Sequence, residues 1–173
     1  MLLSENLDAC ELEWNTADIA VGVDSTAPYY TQGGDKKYLE EQNTFTPTLL
    51  GSTTAGTPTY TQQNGSYYVV GDLVFFDVYI TISALGGMVG GVRVGNLPFA
   101  VKNVSTMYPS FSIGSISNAT FPAGANQMTA KGIPNTQEAL FSWIKSGTTL
   151  SSVLDTDIAA GFSVRMSGMY IRE

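Results

Sequence analysis

Four carboxylates in the C-terminal three-quarters of this chain could in principle do acid–base work: Asp72, Asp77, Asp155 and Asp157. Glycoside hydrolysis needs two carboxyl groups about 5–9 Å apart, one to protonate the leaving oxygen and one to attack or to activate water. The spacing here supplies no such pair. Asp72 follows Gly71 in a turn signal, and Asp77 stands by itself on the polar side of a long strand, as a solvated or interface residue. Asp155-Thr156-Asp157 fits a turn or strand-end cap better than half a calcium site, since a hard cation takes roughly 6–8 oxygen ligands. The chain has no His, which excludes Ser–His–Asp and Cys–His triads and His-ligated metals. Its one cysteine, Cys10, forbids an internal disulfide and a multi-cysteine zinc site. The residues therefore point away from enzymatic activity and call for no cofactor or metal.

Binding chemistry is better supplied. Saccharides are held by aromatic platforms and neutral hydrogen-bonding groups, and Tyr67, Tyr68, Tyr79, Tyr108, Trp143 and Tyr170 are the candidate platforms. Any one of them, taken alone, is more often a packing residue of the core or of a subunit contact. Tyr79 is the aromatic most expected at the surface, because it lies on the opposite side of its strand from Phe76, Val78 and Ile80.

These side chains are carried by short strands. The chain has 173 residues, 43% of them hydrophobic and only 13% charged, with 18 Gly, 16 Ser and 19 Thr. Low charge with many Thr, Gly and aromatic residues is the composition of an all-β protein. Leu73 to Ser83 is the clearest strand, with Val74, Phe76, Val78, Ile80 and Ile82 on one side. Its other side passes from Leu73 and Phe75 to Asp77, Tyr79, Thr81 and Ser83. Thr57–Gln62 and Ser66–Val70 flank Asn64-Gly65, a hairpin turn signal, and Gly71-Asp72 makes a second turn. Val92 and Val94 form a strand that Pro98 ends, and short apolar pieces follow at Phe111–Ile116, Leu140–Lys145 and Leu150–Leu154. The closing strand sets Phe162, Val164, Met166 and Tyr170 against Ser163, Arg165 and Ser167. Frequent turns and many short strands predict an antiparallel β-sandwich or jelly roll with an extended N-terminal arm.

The arm is defined by charge. Residues 1–44 hold nine acids and two bases, a net −7, whereas residues 45–173 hold six of each and are neutral. This shift divides the chain into an acidic extended docking arm, 1–44, and a β module, 45–173. Ile19, Val21 and Val23 alternate with Ala20, Gly22 and Asp24, as one extended strand would. Such a strand needs a sheet edge to join, in its own module, a sister subunit or another protein. Trp14 and this alternation favour docking over a disordered tail, which is usually poor in such residues. Ala27-Pro28 and Gly33-Gly34 read as loop. The pI near 4.4 argues against binding nucleic acid phosphates. No apolar run reaches the roughly 18 residues of a membrane span, and Met1 to Asp8 lacks a basic leader.

Five stretches in one order carry a family resemblance: Phe45-Thr46-Pro47-Thr48-Leu49, the Tyr60 to Tyr67 hairpin with Gln63 and Gly65, Gly71-Asp72-Leu73-Val74-Phe75-Phe76, Val92 to Phe99, and Ser167-Gly168-Met169-Tyr170-Ile171. Together they resemble the β-sandwich modules at the ends of bacteriophage tail fibres and tail spikes and in related virion-surface proteins. Between them, Lys102–Thr136 carries little pattern. The resemblance implies a homotrimer displayed on the virion exterior, made in the host bacterial cytoplasm and in contact with host surface polysaccharide. The resemblance also implies a non-catalytic module, since depolymerase tail spikes usually place catalysis in a long β-helix. No coiled-coil or β-helix shaft precedes the module, so the arm would attach it directly to a tail hub or adaptor. The alternative is a capsid decoration or cement protein held on the major capsid protein by the same arm. On the module, the side of the long strand with Leu73, Phe75, Asp77 and Tyr79 is the expected trimer or ligand surface, because it is too apolar to leave in water.

Overall fold

The computed structural model describes residues 19–23, 28–32, 35–38, 41–105, 107–147 and 150–173, with side chains from residue 43 onward. Alternation and turn chemistry produce strands throughout. β1 (Ile19–Val23), β2 (Pro28–Gln32) and β3 (Asp35–Tyr38) form a small antiparallel sheet. They are followed by β4 (Glu41–Phe45), β5 (Thr48–Gly51), β6 (Thr59–Val70), β7 (Leu73–Ala84), β8 (Val92–Gly95) and β9 (Ser110–Ala119). β10 (Ala125–Ile133), β11 (Glu138–Lys145), β12 (Ser151–Ser152), a short 3-10 turn at Asp155–Asp157 and β13 (Ile158–Ile171) complete the chain. From β4 on, the strands make one ten-stranded sheet in the order β4-β6-β7-β13-β9-β10-β11-β8-β5, with β12 beside β11. Every strand pairing is antiparallel.

The sheet curls on itself, so the protein is all-β and sandwich-like. The bend lies at the β9–β10 seam, where the register holds only Ala130 opposite Phe111 and Lys131 opposite Ser110. The inward residues are those the alternation selects. Val74, Phe76, Val78, Ile80 and Ile82 of β7 are all buried, as are Phe162, Val164, Met166 and Tyr170 of β13. Facing them are Ala139, Phe141 and Trp143 of β11 and Val92 and Val94 of β8. Near the bend Phe76, Phe111 and Tyr170 meet edge to face, with centroids 4.8–6.2 Å apart. Burying each such side chain contributes about 1.5–3 kcal/mol.

The two sheet edges, β4 and β5, are consecutive in the chain, joined by Thr46-Pro47. Side chains from β6 cover the free backbone there. The Tyr60 hydroxyl accepts from Leu49 N–H at 2.8 Å and donates to Leu49 C=O at 3.3 Å, while Gln63 Nε2 donates to Pro47 C=O at 3.0 Å. Burial raises the Tyr60 phenol above its ordinary pKa, an effect the Leu49 backbone hydrogen bond opposes. Tyr170 repeats the device inside the sandwich. Its hydroxyl accepts from Phe99 N–H at 3.1 Å and donates to Phe99 C=O at 3.0 Å. At Leu49 of β5 a phenol thus takes the place of a strand partner, and at Phe99, in the bend after Pro98, it satisfies both backbone groups.

The structure departs from the sequence expectations at four points. Asn64-Gly65 is no turn: β6 runs unbroken through it, with Asn64 opposite Tyr79 and Gly65 between Val78 and Phe45. The glycine answers to space, since a Cβ there would sit 2.6 Å from the Phe45 ring. The turn is Gly71-Asp72, with Gly71 at φ 61°, the glycine-first arrangement of a two-residue hairpin loop. Second, β1 joins a strand of its own segment, β2, in a region read as loop; Pro28 is tolerated because it opens that strand. Third, the division drawn before Phe45 falls inside β4, which pairs with β6 from Glu41. Fourth, the stretch Lys102–Thr136, which carries the Phe111–Ile116 piece and otherwise little pattern in the sequence, contains all of β9 and β10. Register shifts between Arg165 and Met166 and between Ala125 and Gln127 break the alternation that would have revealed them.

Candidate binding face of the sheet

Strand alternation that buries Val74 to Ile82 turns Leu73, Phe75, Asp77 and Tyr79 outward together. The registers with β6 and β13 set their neighbours. Leu73 lies between Val70 and Ile171, and Phe75 between Tyr68 and Met169. Asp77 lies between Ser66 and Ser167, and Tyr79 between Asn64 and Arg165. The four residues therefore share one face but divide it into two unlike halves.

The half nearer the Gly71-Asp72 turn is apolar. Tyr68, Val70, Phe75, Met169 and Ile171 are all exposed, Phe75 by 40% and Met169 by 56%. The loop after Val101 runs along this end, its Lys102 N–H bonded to Ile171 C=O at 2.9 Å. That loop adds exposed Val104, Met107 and Tyr108, with Lys131 lying 5.0 Å over the Tyr108 ring. Tyr68, Phe75 and Met169, and Val70, Leu73 and Ile171, are cross-strand neighbours, so the strands' share of this apolar surface is continuous.

The other half is an open polar groove of about 640 Å3. Thr44, Asn64, Ser66, Asp77, Tyr79, Arg165 and Ser167 line it, together with Gly65, Gly114 and the apolar residues Phe45, Val78 and Met166. The Arg165 guanidinium stacks 4.3 Å over the Tyr79 ring. Hydrogen bonding to the Thr81 side chain and, next, to Arg165 holds the Tyr79 phenol below its ordinary pKa. Behind it, Thr81 Oγ1 donates to Ser163 Oγ at 3.0 Å. Asp77 is the carboxylate of this groove, which therefore presents one acid, one base, hydroxyls and amides.

The remaining candidates divide by burial. Tyr67, Trp143 and Tyr170 are core residues. Tyr68 and Tyr108 are exposed by 46% and 53%, more than Tyr79, whose ring Arg165 covers. Asp155 and Asp157 are caps, as expected. Asp155 Oδ1 accepts from Gly90 N–H at 2.9 Å, and Asp157 Oδ2 accepts from Trp143 Nε1 at 2.8 Å and Leu154 N–H at 2.9 Å. Asp72 sits at the hairpin turn. Among the described residues no three His, Cys, Asp or Glu come together as metal ligands, and no helix is long and apolar enough to cross a membrane. Ile19, Val21 and Val23 lie on β1, opposite Gln32, Tyr30 and Pro28; Trp14 and Cys10 lie outside the described residues.

Alternation in the sequence places Leu73, Phe75, Asp77 and Tyr79 on one side of β7, as the structure does, but does not show that Asn64, Ser66, Arg165, Ser167, Met169 and Ile171 are their neighbours. The signal for two of these was present, because Arg165 and Ser167 stand on the polar side of the last strand in the sequence. Only the β7–β13 register shows that Arg165 lands beside Tyr79 rather than elsewhere on the sheet.

No protein-family model matches the chain, and no curated protein does. Among solved structures it resembles the crystal structure of the Dettilon tailspike protein (gp208), with a TM-score of 0.64 and 20% sequence identity over 76% of this chain. The match covers 24% of that protein, so the chain spans about a quarter of its length. The likeness is one of fold.

Proposed function

We propose that the chain is a non-enzymatic structural protein of a bacteriophage virion, a short trimeric tail-fibre-like knob that attaches to the host surface. Residues 1–44 join it to the particle, and the knob stands on the virion exterior. The observation that carries this reading is the divided outer face, in a fold that part of a tailspike shares. Its apolar half would stay wet in a monomer. Three copies packed around an axis remove it from water, each Å2 of apolar surface so covered contributing about 25 cal/mol. Its polar half then remains open as a contact for host polysaccharide. Among the described side chains lining the groove the carboxylate is Asp77, which suits a surface that binds polysaccharide.

The test is attachment. The purified protein is expected to bind host cells and to compete with infection by its phage, and quantitative mass spectrometry of particles should find it at tail-like copy number. Capsid-like copy number, with altered shell stability and unchanged host attachment, would instead identify a decoration protein on the major capsid protein. Release of reducing sugar from host polysaccharide would contradict the non-enzymatic reading.

A further inference from the structure

Two charges in the polar groove face each other without pairing. Asp77 and Arg165 are diagonal neighbours across β7 and β13, positions about 7–8 Å apart in an antiparallel pair. Among the described residues neither makes a salt bridge, whereas Arg93, half-buried elsewhere on the sheet, is paired with Glu138 at 2.8 Å. Arg165 instead lies over the Tyr79 ring, its guanidinium carbon 4.3 Å from the centroid, and hydrogen-bonds the Tyr79 phenol. A guanidinium carries five N–H donors, so this contact leaves others for an anion.

The two unpaired groups restrict what the groove can take. An ionised Asp77 only accepts hydrogen bonds, and Arg165 only donates. A simple anion such as phosphate meets Arg165 but is repelled by Asp77, and a simple cation meets the reverse. A ligand that satisfies both carries hydroxyl donors at one end and a carboxylate at the other, on a scaffold that spans the gap. Ser66, Ser167, Asn64 and Thr44 offer further neutral donors and acceptors around it. A volume of about 640 Å3 lies within the range of small-molecule sites and has room for a short oligosaccharide.

We propose that this groove binds a saccharide bearing a carboxylate, with Arg165 taking the carboxylate and Asp77 the neighbouring ring hydroxyls. The inference names the ligand class for the host-attachment reading above and rests on it. Full-length protein is titrated calorimetrically with matched pairs: trigalacturonate against galactotriose of the same linkage, and sialyllactose against lactose. At least one acidic member is expected to bind saturably, about tenfold or more tighter than its neutral partner, and to weaken as salt rises. Arg165→Gln should erase that preference and Arg165→Lys should restore part of it. Asp77→Asn should weaken acidic and neutral members alike. Equal binding of acidic and neutral members overturns the proposal, as does a preference that survives Arg165→Gln or the failure of every acidic member to bind. Thermal unfolding of each variant checks that the sheet is intact. Host-cell attachment that Arg165→Gln leaves unchanged removes the groove assignment and keeps the attachment reading; wild-type protein that fails to bind cells removes the reading itself.

Discussion

Replacing Tyr170 with Phe removes one oxygen and keeps the ring among Phe76 and Phe111. The ring is buried, so the substitution isolates the two hydrogen bonds to Phe99, at 3.1 and 3.0 Å. Without the phenol, the Phe99 N–H and C=O lose the one partner that each has in it. An unsatisfied buried backbone group costs about 1–3 kcal/mol, and Phe99 is only half-buried, so water recovers part of each. The expected loss is therefore about 2 kcal/mol. For a chain of this length that lowers the midpoint of thermal unfolding by about 4–8 °C. The pH dependence is a second readout. Burial pushes the Tyr170 phenol from its ordinary 10.0 to about 12, against the pull of the Phe99 backbone hydrogen bond. Between those values the native state keeps a proton that the unfolded chain gives up. The group's stabilisation is thus complete below pH 10 and falls as the pH climbs towards 12. Scanning calorimetry of both proteins from pH 7 to 12 measures each effect, and the Tyr170→Phe profile should be flatter above pH 10. A midpoint within about 1 °C of wild type at pH 7, or an alkaline slope identical to it, would refute the idea that the buried phenol holds the Phe99 backbone.

Asp157→Ala strips the Trp143 indole N–H and the Leu154 N–H of a shared charged acceptor and should cost about 2–4 kcal/mol in denaturant unfolding. Gly65→Ala drives a methyl into the Phe45 ring and should cost about 1–3 kcal/mol, whereas Gly71→Ala meets no neighbour within 4 Å but must hold a positive φ, and should cost about 1–2 kcal/mol. Removal of residues 1–40 should leave the ten-stranded sheet folded while abolishing incorporation into particles; removal through residue 44 takes most of β4, bares the edge of β6, and should lower the unfolding midpoint measurably further. Phe75→Glu places a charge in the apolar half of the outer face and should shift the assembly towards monomer in sedimentation velocity, with the far-ultraviolet circular dichroism unchanged.

The fold was legible wherever two-residue alternation ran undisturbed. β7 and β13 each declared their inner faces, and all nine inward side chains named from them are buried. The apolar piece Leu140–Lys145 also lies within a strand, β11. Legibility failed where one residue type has two physical uses. Gly65 was read as a turn former, because Asn-Gly supplies positive φ, yet here glycine makes room for the Phe45 ring. Pro28 was read as loop, yet a strand accepts proline as its first residue. The candidate face was half legible for a related reason. A strand's own sequence names its outward row, but register decides which rows become neighbours, and register is a tertiary property. That is why Asp77 and Tyr79 were found without Arg165, and Leu73 and Phe75 without Met169 and Ile171. The same register separates the two uses the sequence left joined. Leu73 and Phe75 belong to the apolar half, and Asp77 and Tyr79 to the groove.

The central claim is that the apolar half of the outer face is covered by further copies of the chain. Light scattering coupled to size exclusion, on the full chain at micromolar concentration, tests it most directly. A mass of about 55 kDa, three times the 18.5 kDa chain, is the predicted result. A mass of one chain, held across the concentration range, would contradict it.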